Sequence, residues 1–95
     1  MSGFDYLTTR LETAIGINAD YEPAYIGLAR LRATVKDPRI RNGREAVELA
    51  ETICTRTDSP QVGYLHTLAM AYAADGQFDK ATATAETALE LARRH

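Results

Sequence analysis

The sequence predicts an all-α fold in which short helices pair into antiparallel hairpins and the hairpins stack side by side. Apolar side chains recur three and four residues apart through most of the chain, which is the spacing of one helical face. The apolar pattern of residues 4–15 returns in residues 78–89, 74 positions later, and repetition on this scale is typical of a solenoid. Alanine is abundant and tryptophan is absent, a composition that favours closely packed helices over a sheet.

Residues 62–91 show this organisation most clearly, because two amphipathic stretches flank Asp75 and Gly76. A glycine here can adopt the left-handed backbone that ends a helix. The two predicted apolar faces consist of Leu65, Leu68, Ala69 and Tyr72, and of Phe78, Ala81, Ala85, Ala88, Leu89 and Ala92. Small residues at the contact would bring the helix axes to the short end of the roughly 8–10 Å range. We therefore predict a helix hairpin with Ala69, Ala81 and Ala88 at its seam.

The framework residues of this hairpin follow a definite order: Leu65, Leu68-Ala69, Tyr72, Gly76, Phe78-Asp79-Lys80-Ala81 and Ala88. This order and spacing resemble the tetratricopeptide (TPR) repeat. The resemblance implies an α-α superhelix, a helical hairpin solenoid of five helices and about two and a half repeats within a single domain of residues 1–95. It also implies a surface for protein partners, lined by the first helix of each repeat.

The first predicted helix, residues 4–18, corresponds to the second helix of a repeat whose first helix is missing. A turn follows at residues 18–22, and Pro23 is tolerated in the first turn of the next helix. That helix opens a second repeat, residues 22–57, and stops before Asp37-Pro38, because proline disfavours helix in the residue before it. Arg32 stands where the repeat has Tyr or Leu. Either the aliphatic part of the Arg32 side chain lies along apolar surface with the guanidinium in water, or Leu31 takes the packing position instead of Arg32.

The connection at residues 36–41 is longer than usual, since Leu28 and the equivalent Leu68 are 40 residues apart rather than the 34 of the family. Asn42 with Glu45 three residues later resembles a capping box that starts the third helix. Ser59 is predicted as the N-cap, and Pro60 as the first helical position, of the last repeat, residues 60–93. The second repeat also departs from the family pattern at Gly43, in place of an aromatic residue, and at Ile53, in place of a small one.

Composition excludes several classes of protein. An apolar share of 45% and a charged share of 25% are typical of a globular domain, and a net charge of -2 gives no general attraction to nucleic acid or anionic membranes. The N-terminal residues lack a basic start and an apolar run, so we expect no signal peptide, and no run of 18 apolar residues is present in this sequence to span a membrane. With a single cysteine no intrachain disulfide can form, and a cytoplasmic location is the default expectation.

Residues that could support catalysis or metal binding are few. Neither His66 nor His95 has a second ligand at the spacing that zinc sites use, so we expect no metal and no cofactor. A nucleophilic pair of Cys54 and His66 is conceivable, but Cys54 continues the apolar face of its helix, where a free cysteine is usually a small buried apolar residue. Phosphate loops and nucleophile motifs are missing from the sequence. We therefore predict that the chain is not an enzyme.

Six basic residues fall within fifteen positions: Arg30, Arg32, Lys36, Arg39, Arg41 and Arg44. One interpretation is an anion patch of Arg39, Arg41 and Arg44 that binds an acidic peptide or a phosphate. The favoured interpretation is a solvated loop whose arginines pair with Glu45 and Glu48. Salt-sensitive binding of acidic ligands would distinguish the two.

Resemblance to the TPR family places one set of side chains on a concave groove for a partner peptide or protein segment: Ile26, Arg30, Ala33, Thr34, His66, Met70 and Ala73. A fold of this kind does not by itself establish a function. One alternative is that the repeats only hold other domains apart and bind no partner in the groove. The alternative function is a homo-oligomerisation module. The N-terminal helix lacks its partner helix, so Phe4, Leu7 and Leu11 would leave an apolar surface. A second copy would cover it under this alternative; upstream repeats of a longer protein or the chain's own termini would do so otherwise.

Overall fold

The computed structural model describes residues 3–37, 40–56 and 61–94, and the side chains from residue 6 onward within these ranges. In this part of the chain the regular structure is entirely helical: α1 (Gly3–Ile17), α2 (Glu22–Thr34), α3 (Gly43–Arg56), α4 (Val62–Ala74) and α5 (Phe78–Arg93). Each helix packs on the next, and α4 also packs on α2. The all-α class and the packing of consecutive helices are thus confirmed, and α4 lies against both helices of the α2–α3 hairpin.

The helices can be compared position by position. α2 and α4 have the same length, and α4 begins and ends 40 residues after α2. α3 and α5 begin 35 residues apart, and the apolar pattern of α1 returns in α5 after 74 residues. We call residues related by these three offsets repeat-equivalent. They allow the environment of a side chain in one hairpin to be compared with that of its counterpart in the next.

The turn between α4 and α5 has the geometry expected of a glycine-ended helix. Gly76 adopts a φ of 77°. Its amide donates to the carbonyl oxygen of Ala73 at 3.1 Å, and the amide of Gln77 donates to that of Tyr72 at 2.8 Å. These are the two hydrogen bonds of a Schellman motif, which satisfy carbonyls left open at the end of a helix. The prediction for Gly76 is confirmed.

Replacing Gly76 by alanine should lower the free energy of unfolding by about 1–2 kcal/mol, the cost of the left-handed backbone for a residue with a Cβ. A Cβ at Gly76 would meet no atom within 4 Å, so no steric effect adds to this cost. Gly16 is the matched control, since it lies in α1 with the same open space and Gly16→Ala should be neutral or stabilise by up to about 1 kcal/mol. Urea denaturation measures both; equal changes would contradict the backbone assignment.

Asn42 caps α3 as predicted, but only half of the capping box forms. The Oδ1 of Asn42 accepts a hydrogen bond from the amide of Glu45 at 3.1 Å. The carboxylate of Glu45 does not return to Asn42; it lies 3.3 Å from the Nε of Arg32. The amide of Asn42 donates instead to the carbonyl of Arg32 at 2.8 Å. The start of α3 is therefore tied to the end of α2.

Two helix ends differ from the predicted ones. α2 ends at Thr34 with Val35 as its C-cap, whereas the apolar pattern continues to Val35. α4 has Gln61 as its N-cap, in extended backbone and without a side-chain hydrogen bond, so the predicted N-cap at Ser59 is wrong. Ser59 and Pro60 themselves lie outside the described residues. Pro23 does occupy the first turn of α2.

The hydrophobic core lies where α4 meets the α2–α3 hairpin. It consists of Ala29, Ala33, Ala46, Val47, Ala50, Leu68, Ala71 and Tyr72. Alanines from α2 and α3 let the helices approach closely, and the larger side chains of α4 fill the space. Of the three alanines predicted at the α4–α5 seam, Ala88 is buried and Ala81 packs against this core, whereas Ala69 is half-buried.

Arg32 anchors the long connection between α2 and α3. Its side chain is 14% exposed, so the expectation that its head lies in water is wrong. The Nη1 donates to the carbonyl of Ile40 at 2.9 Å, the Nε lies 3.3 Å from a carboxylate oxygen of Glu45, and the Nη2 lies 4.0 Å from that of Glu12. The guanidinium thus joins α1, the connection and α3, because a buried charge needs such partners.

Candidate functional site

An open apolar groove runs between α4 and α5. Two adjoining cavities of about 270 and 380 Å³ share Ala69, Met70 and Ala85 and therefore form one surface. We call it the α4–α5 groove; it is lined by His66, Ala69, Met70, Ala73, Phe78, Ala81, Thr82, Ala85, Ala88 and Leu89. The face of α4 with Leu68, Ala71 and Tyr72 is buried in the core. The groove therefore belongs to the side of the hairpin that no helix covers in the described part of the chain.

Small and large side chains divide the groove into a floor and a rim. Alanines make the floor, while Phe78 and Leu89 are 68% and 53% exposed. These two residues are eleven positions apart on α5, which corresponds to about 16 Å or three helical turns. Large apolar side chains left open around a concave surface are typical of interaction sites. The dimensions suit a helix of about three turns.

Three of the residues predicted on the groove lie on this surface: His66, Met70 and Ala73. Two others do not, because Ile26 and Ala33 are only 5% and 6% exposed. The expectation for these two is wrong. The physical reason is that α2 lies between the preceding helix α1 and the following hairpin, whose α4 packs on it, whereas the hairpin of α4 and α5 has helices packed on it only from α2 and α3 in the described part of the chain.

Arg30, predicted as a polar handle for a ligand, forms a contact between helices. Its Nε donates to the Oγ1 of Thr67 at 2.9 Å, and that hydroxyl donates to the carbonyl of Gly63 at 3.0 Å. Thr67 is completely buried, so these bonds satisfy a polar group inside the core. Thr34 is exposed and its hydroxyl donates to the carbonyl of Arg30 at 2.7 Å. Arg30 therefore ties α2 to α4.

The predicted anion patch is only partly described, since Arg39 lies outside the described residues. Arg41 is exposed. The Nε of Arg44 lies 3.7 Å from a carboxylate oxygen of Glu48, with 86% of the arginine side chain exposed. This pair agrees with the solvated-loop interpretation, and exposed pairs of this kind contribute little to stability.

The outer surface of α1 differs from the predicted self-association face. Leu11 is half-buried, with a methyl carbon 3.2 Å from the position that a Cβ on Gly27 would take, so it packs on α2. Leu7 is 47% exposed, and the side chain of Phe4 lies outside the described residues. The open side of α1 instead carries a cavity of about 400 Å³ lined by Tyr6, Thr9, Arg10, Thr13, Ala14 and Ile17. Because Leu11 faces α2, the side of α1 that carries this cavity points away from α2.

Tyr72 fixes the position of α4 on α3. Its hydroxyl donates to the Oε2 of Glu51 at 2.6 Å, and the Nζ of Lys80 lies 5.7 Å from the centre of its ring. Burial of the phenol, followed by its hydrogen bond to the Glu51 carboxylate and the negative charge of that group, raises the pKa of Tyr72 to about 12. Because this pKa lies above the ordinary value near 10, the bond stabilises the fold below pH 10. Its contribution is lost as the pH rises from 10 to 12.

Tyr72→Phe should lower the free energy of unfolding at pH 7 by about 1–2 kcal/mol, because it removes a hydrogen bond to a charged, partly buried carboxylate. The variant should also lose less stability than the wild type between pH 10 and 12. Tyr21→Phe is the control, since Tyr21 is 50% exposed and its change should stay within about 0.5 kcal/mol. Denaturation at several pH values measures both, and parallel pH profiles for Tyr72→Phe and wild type would contradict the assignment.

Two candidates for reactivity, the Cys54 thiol and grouped acidic side chains, show neither an activated thiolate nor a metal-binding cluster in the described residues. Burial, and then the charge of Glu51, raise the pKa of the Cys54 thiol, which lowers the fraction of reactive thiolate at neutral pH. Within residues 3–37, 40–56 and 61–94, no three His, Cys, Asp or Glu side chains are grouped to hold a metal ion. None of the helices in these ranges is long and apolar enough to cross a bilayer.

Comparisons with protein-family models, curated proteins and solved structures give no match to this chain. Membership of the TPR family therefore stays a prediction from the framework residues of the sequence. The site rests on the geometry of the α4–α5 groove alone.

Proposed function

We propose that this chain is a protein-interaction module that binds an amphipathic helix of a partner protein in the α4–α5 groove. The observation that supports it is an open apolar surface about three helical turns long, bounded by the exposed side chains of Phe78 and Leu89. Docking an apolar helical face into such a groove is a recurring mode of peptide recognition. The TPR-like spacing of the framework residues supports the same class of function.

Binding would be passive and driven by burial of apolar surface. Each large apolar side chain moved from water into the groove contributes about 1.5–3 kcal/mol before the cost of ordering the partner. The floor of Ala73, Ala81 and Ala85 admits a helix backbone at short distance. The binding surface keeps His66, Met70 and Ala73 of the predicted groove, loses Ile26 and Ala33, which are buried, and gains side chains of α5.

Selection from a display library of helical peptides, with the intact chain as bait, tests this proposal. Ala85→Glu places a charge on the groove floor, whereas the control Ala83→Glu places it at an exposed position of α5 outside the groove lining. We expect selected helices to bind wild type and Ala83→Glu equally, and Ala85→Glu at least about tenfold more weakly, since a charge would be buried. Selected helices that bind all three proteins equally would refute the proposal.

A second candidate function is self-association through the outer side of α1. Ile17 is 82% exposed and Tyr6 54% exposed, and apolar side chains this open favour an interface. Light scattering at high concentration tests it. A dimer that dissociates on Ile17→Glu would support this function, and a monomer at all concentrations would remove it.

A further inference from the structure

The α4–α5 groove is the repeat-equivalent of a groove that is already filled inside the molecule. α4 packs into the corresponding surface of the α2–α3 hairpin, where the floor alanines are almost completely buried. Three floor positions and their open counterparts are Ala33 and Ala73, Ala46 and Ala81, and Ala50 and Ala85. The filled groove thus shows what kind of helix the open groove accepts.

α4 itself is the template for that helix. Its Leu68, Ala71 and Tyr72 lie in one buried cluster with the floor alanines of the α2–α3 hairpin. A partner that presents the same face, a leucine followed three and four residues later by alanine and a larger side chain, would meet an equivalent floor in the open groove. This step rests on the proposed function and specifies the partner's face.

A carboxylate recurs at one repeat-equivalent position of α1, α3 and α5: Glu12, Glu51 and Glu86. The carboxylates of Glu12 and Glu51 each face a donor on the helix that follows their own. Glu12 lies 4.0 Å from the Nη2 of Arg32, and Glu51 accepts the hydrogen bond of Tyr72 at 2.6 Å.

Arg32 and Tyr72 are themselves repeat-equivalent, so a carboxylate lies near a donor at the same repeat position twice, once in an ion pair at 4.0 Å and once in a hydrogen bond at 2.6 Å. Glu86 is exposed, and no hydrogen bond or ion pair joins it to another residue in the described ranges. A helix bound in the α4–α5 groove as α4 is bound on the α2–α3 hairpin would bring its donor to Glu86.

Two positions of the α4–α5 groove differ from their repeat-equivalents in the filled groove, and they restrict the sequence of the partner helix. Met70 stands where the filled groove has Arg30, whose Nε donates to Thr67 of α4, so an apolar residue is favoured where α4 has Thr67. Phe78 stands where the filled groove has Gly43, at which an added Cβ would lie 2.7 Å from the carbonyl of Ala74. An incoming helix must therefore end or diverge before the position of Ala74.

We propose that the α4–α5 groove takes an amphipathic helix with the pattern apolar-Leu-x-x-Ala-Tyr, or Arg in place of Tyr, whose last side chain donates a hydrogen bond to Glu86. The apolar positions follow Leu68 and Ala71 of α4, and the donor follows Tyr72. The carboxylate selects among helices that the apolar floor alone would accept. It also sets the direction of the bound helix, because the donor must lie at the end near Glu86.

The probe is an acetylated and amidated peptide with the sequence of residues 58–73 carrying Thr67→Leu, and a second peptide that also carries Tyr72→Phe. Fluorescence anisotropy measures Kd for the wild-type chain, for Glu86→Ala and for Glu90→Ala. Glu90 is the control because it lies on the same helix and pairs with Arg94 at 2.7 Å. We expect Glu86→Ala to weaken binding of the Tyr peptide about fivefold to tenfold and to leave the Phe peptide unchanged.

Equal affinities of the two peptides for the wild-type chain, or an equal loss on Glu90→Ala, would overturn this inference. If this peptide fails to bind while library helices bind and are weakened by Ala85→Glu, the inference is overturned and the proposed function stands. If no helix binds in a way that Ala85→Glu weakens, both proposals are refuted. Self-association of the chain that Ala85→Glu abolishes in light scattering would assign the groove to a second copy and also overturn the inference.

Discussion

Replacing Gly43 by alanine is expected to lower the free energy of unfolding by about 1–3 kcal/mol, the usual cost of forcing extra atoms into a packed interior. A Cβ at Gly43 would lie 2.7 Å from the carbonyl carbon and oxygen of Ala74 and 2.8 Å from the amide nitrogen of Asp75. These are backbone atoms that no side-chain rotation can move. The start of α3 and the end of α4 must therefore separate.

Thermal unfolding checks this expectation, and a loss of this size should lower Tm by roughly 5–20 °C in a domain of this length. Gly16→Ala is again the control because its Cβ would meet no atom within 4 Å. A Gly43→Ala protein as stable as wild type would show that α3 and α4 do not approach as closely as described. The same close approach explains why this position carries glycine and has no room for a larger side chain.

The second large effect is expected from Ala50→Leu, at about 1–3 kcal/mol of lost stability. Ala50 is completely buried between α3 and the helices packed on it, so three added heavy atoms have no room. Its repeat-equivalent Ala85 lies on the open floor of the α4–α5 groove. Ala85→Leu should therefore change stability by no more than about 0.5 kcal/mol.

Urea denaturation of the two variants compares a filled and an open groove at the same repeat position. A large loss for Ala50→Leu together with a small change for Ala85→Leu is the expected result. Similar losses for both would mean that the groove between α4 and α5 is already closed, and would count against any partner binding there.

The local features that depend on few residues were predictable from the sequence. Gly76 ends α4 because only a residue without a Cβ takes its backbone conformation at low cost, and Asn42 caps α3 because its side chain reaches the amide of Glu45. The helical spacing of apolar residues likewise gave the five helices and their order. Each of these signals lies within one turn or one helix.

The binding surface was less predictable because it depends on which helices cover which. Ile26 and His66 are repeat-equivalent, yet Ile26 is buried and His66 lines the open groove, since α4 packs on the α2–α3 hairpin and no described helix packs in the same way on the α4–α5 hairpin. The apolar face of α5 with Ala85 and Leu89 was visible in the sequence, but the partner groove was predicted from residues of α2 and α4 alone. Arg32 is a similar case, because its partners come from α1, the long connection and α3.

The most direct test of the central claim is an NMR experiment on the chain with labelled alanine methyl groups, bound to a helix from the display selection. Intermolecular NOEs to the methyls of Ala73, Ala81 and Ala85, and none to that of Ala83, are the expected result. NOEs confined to Ala14 on the outer side of α1, or to methyls away from α4 and α5, would contradict the claim that this groove is the binding surface.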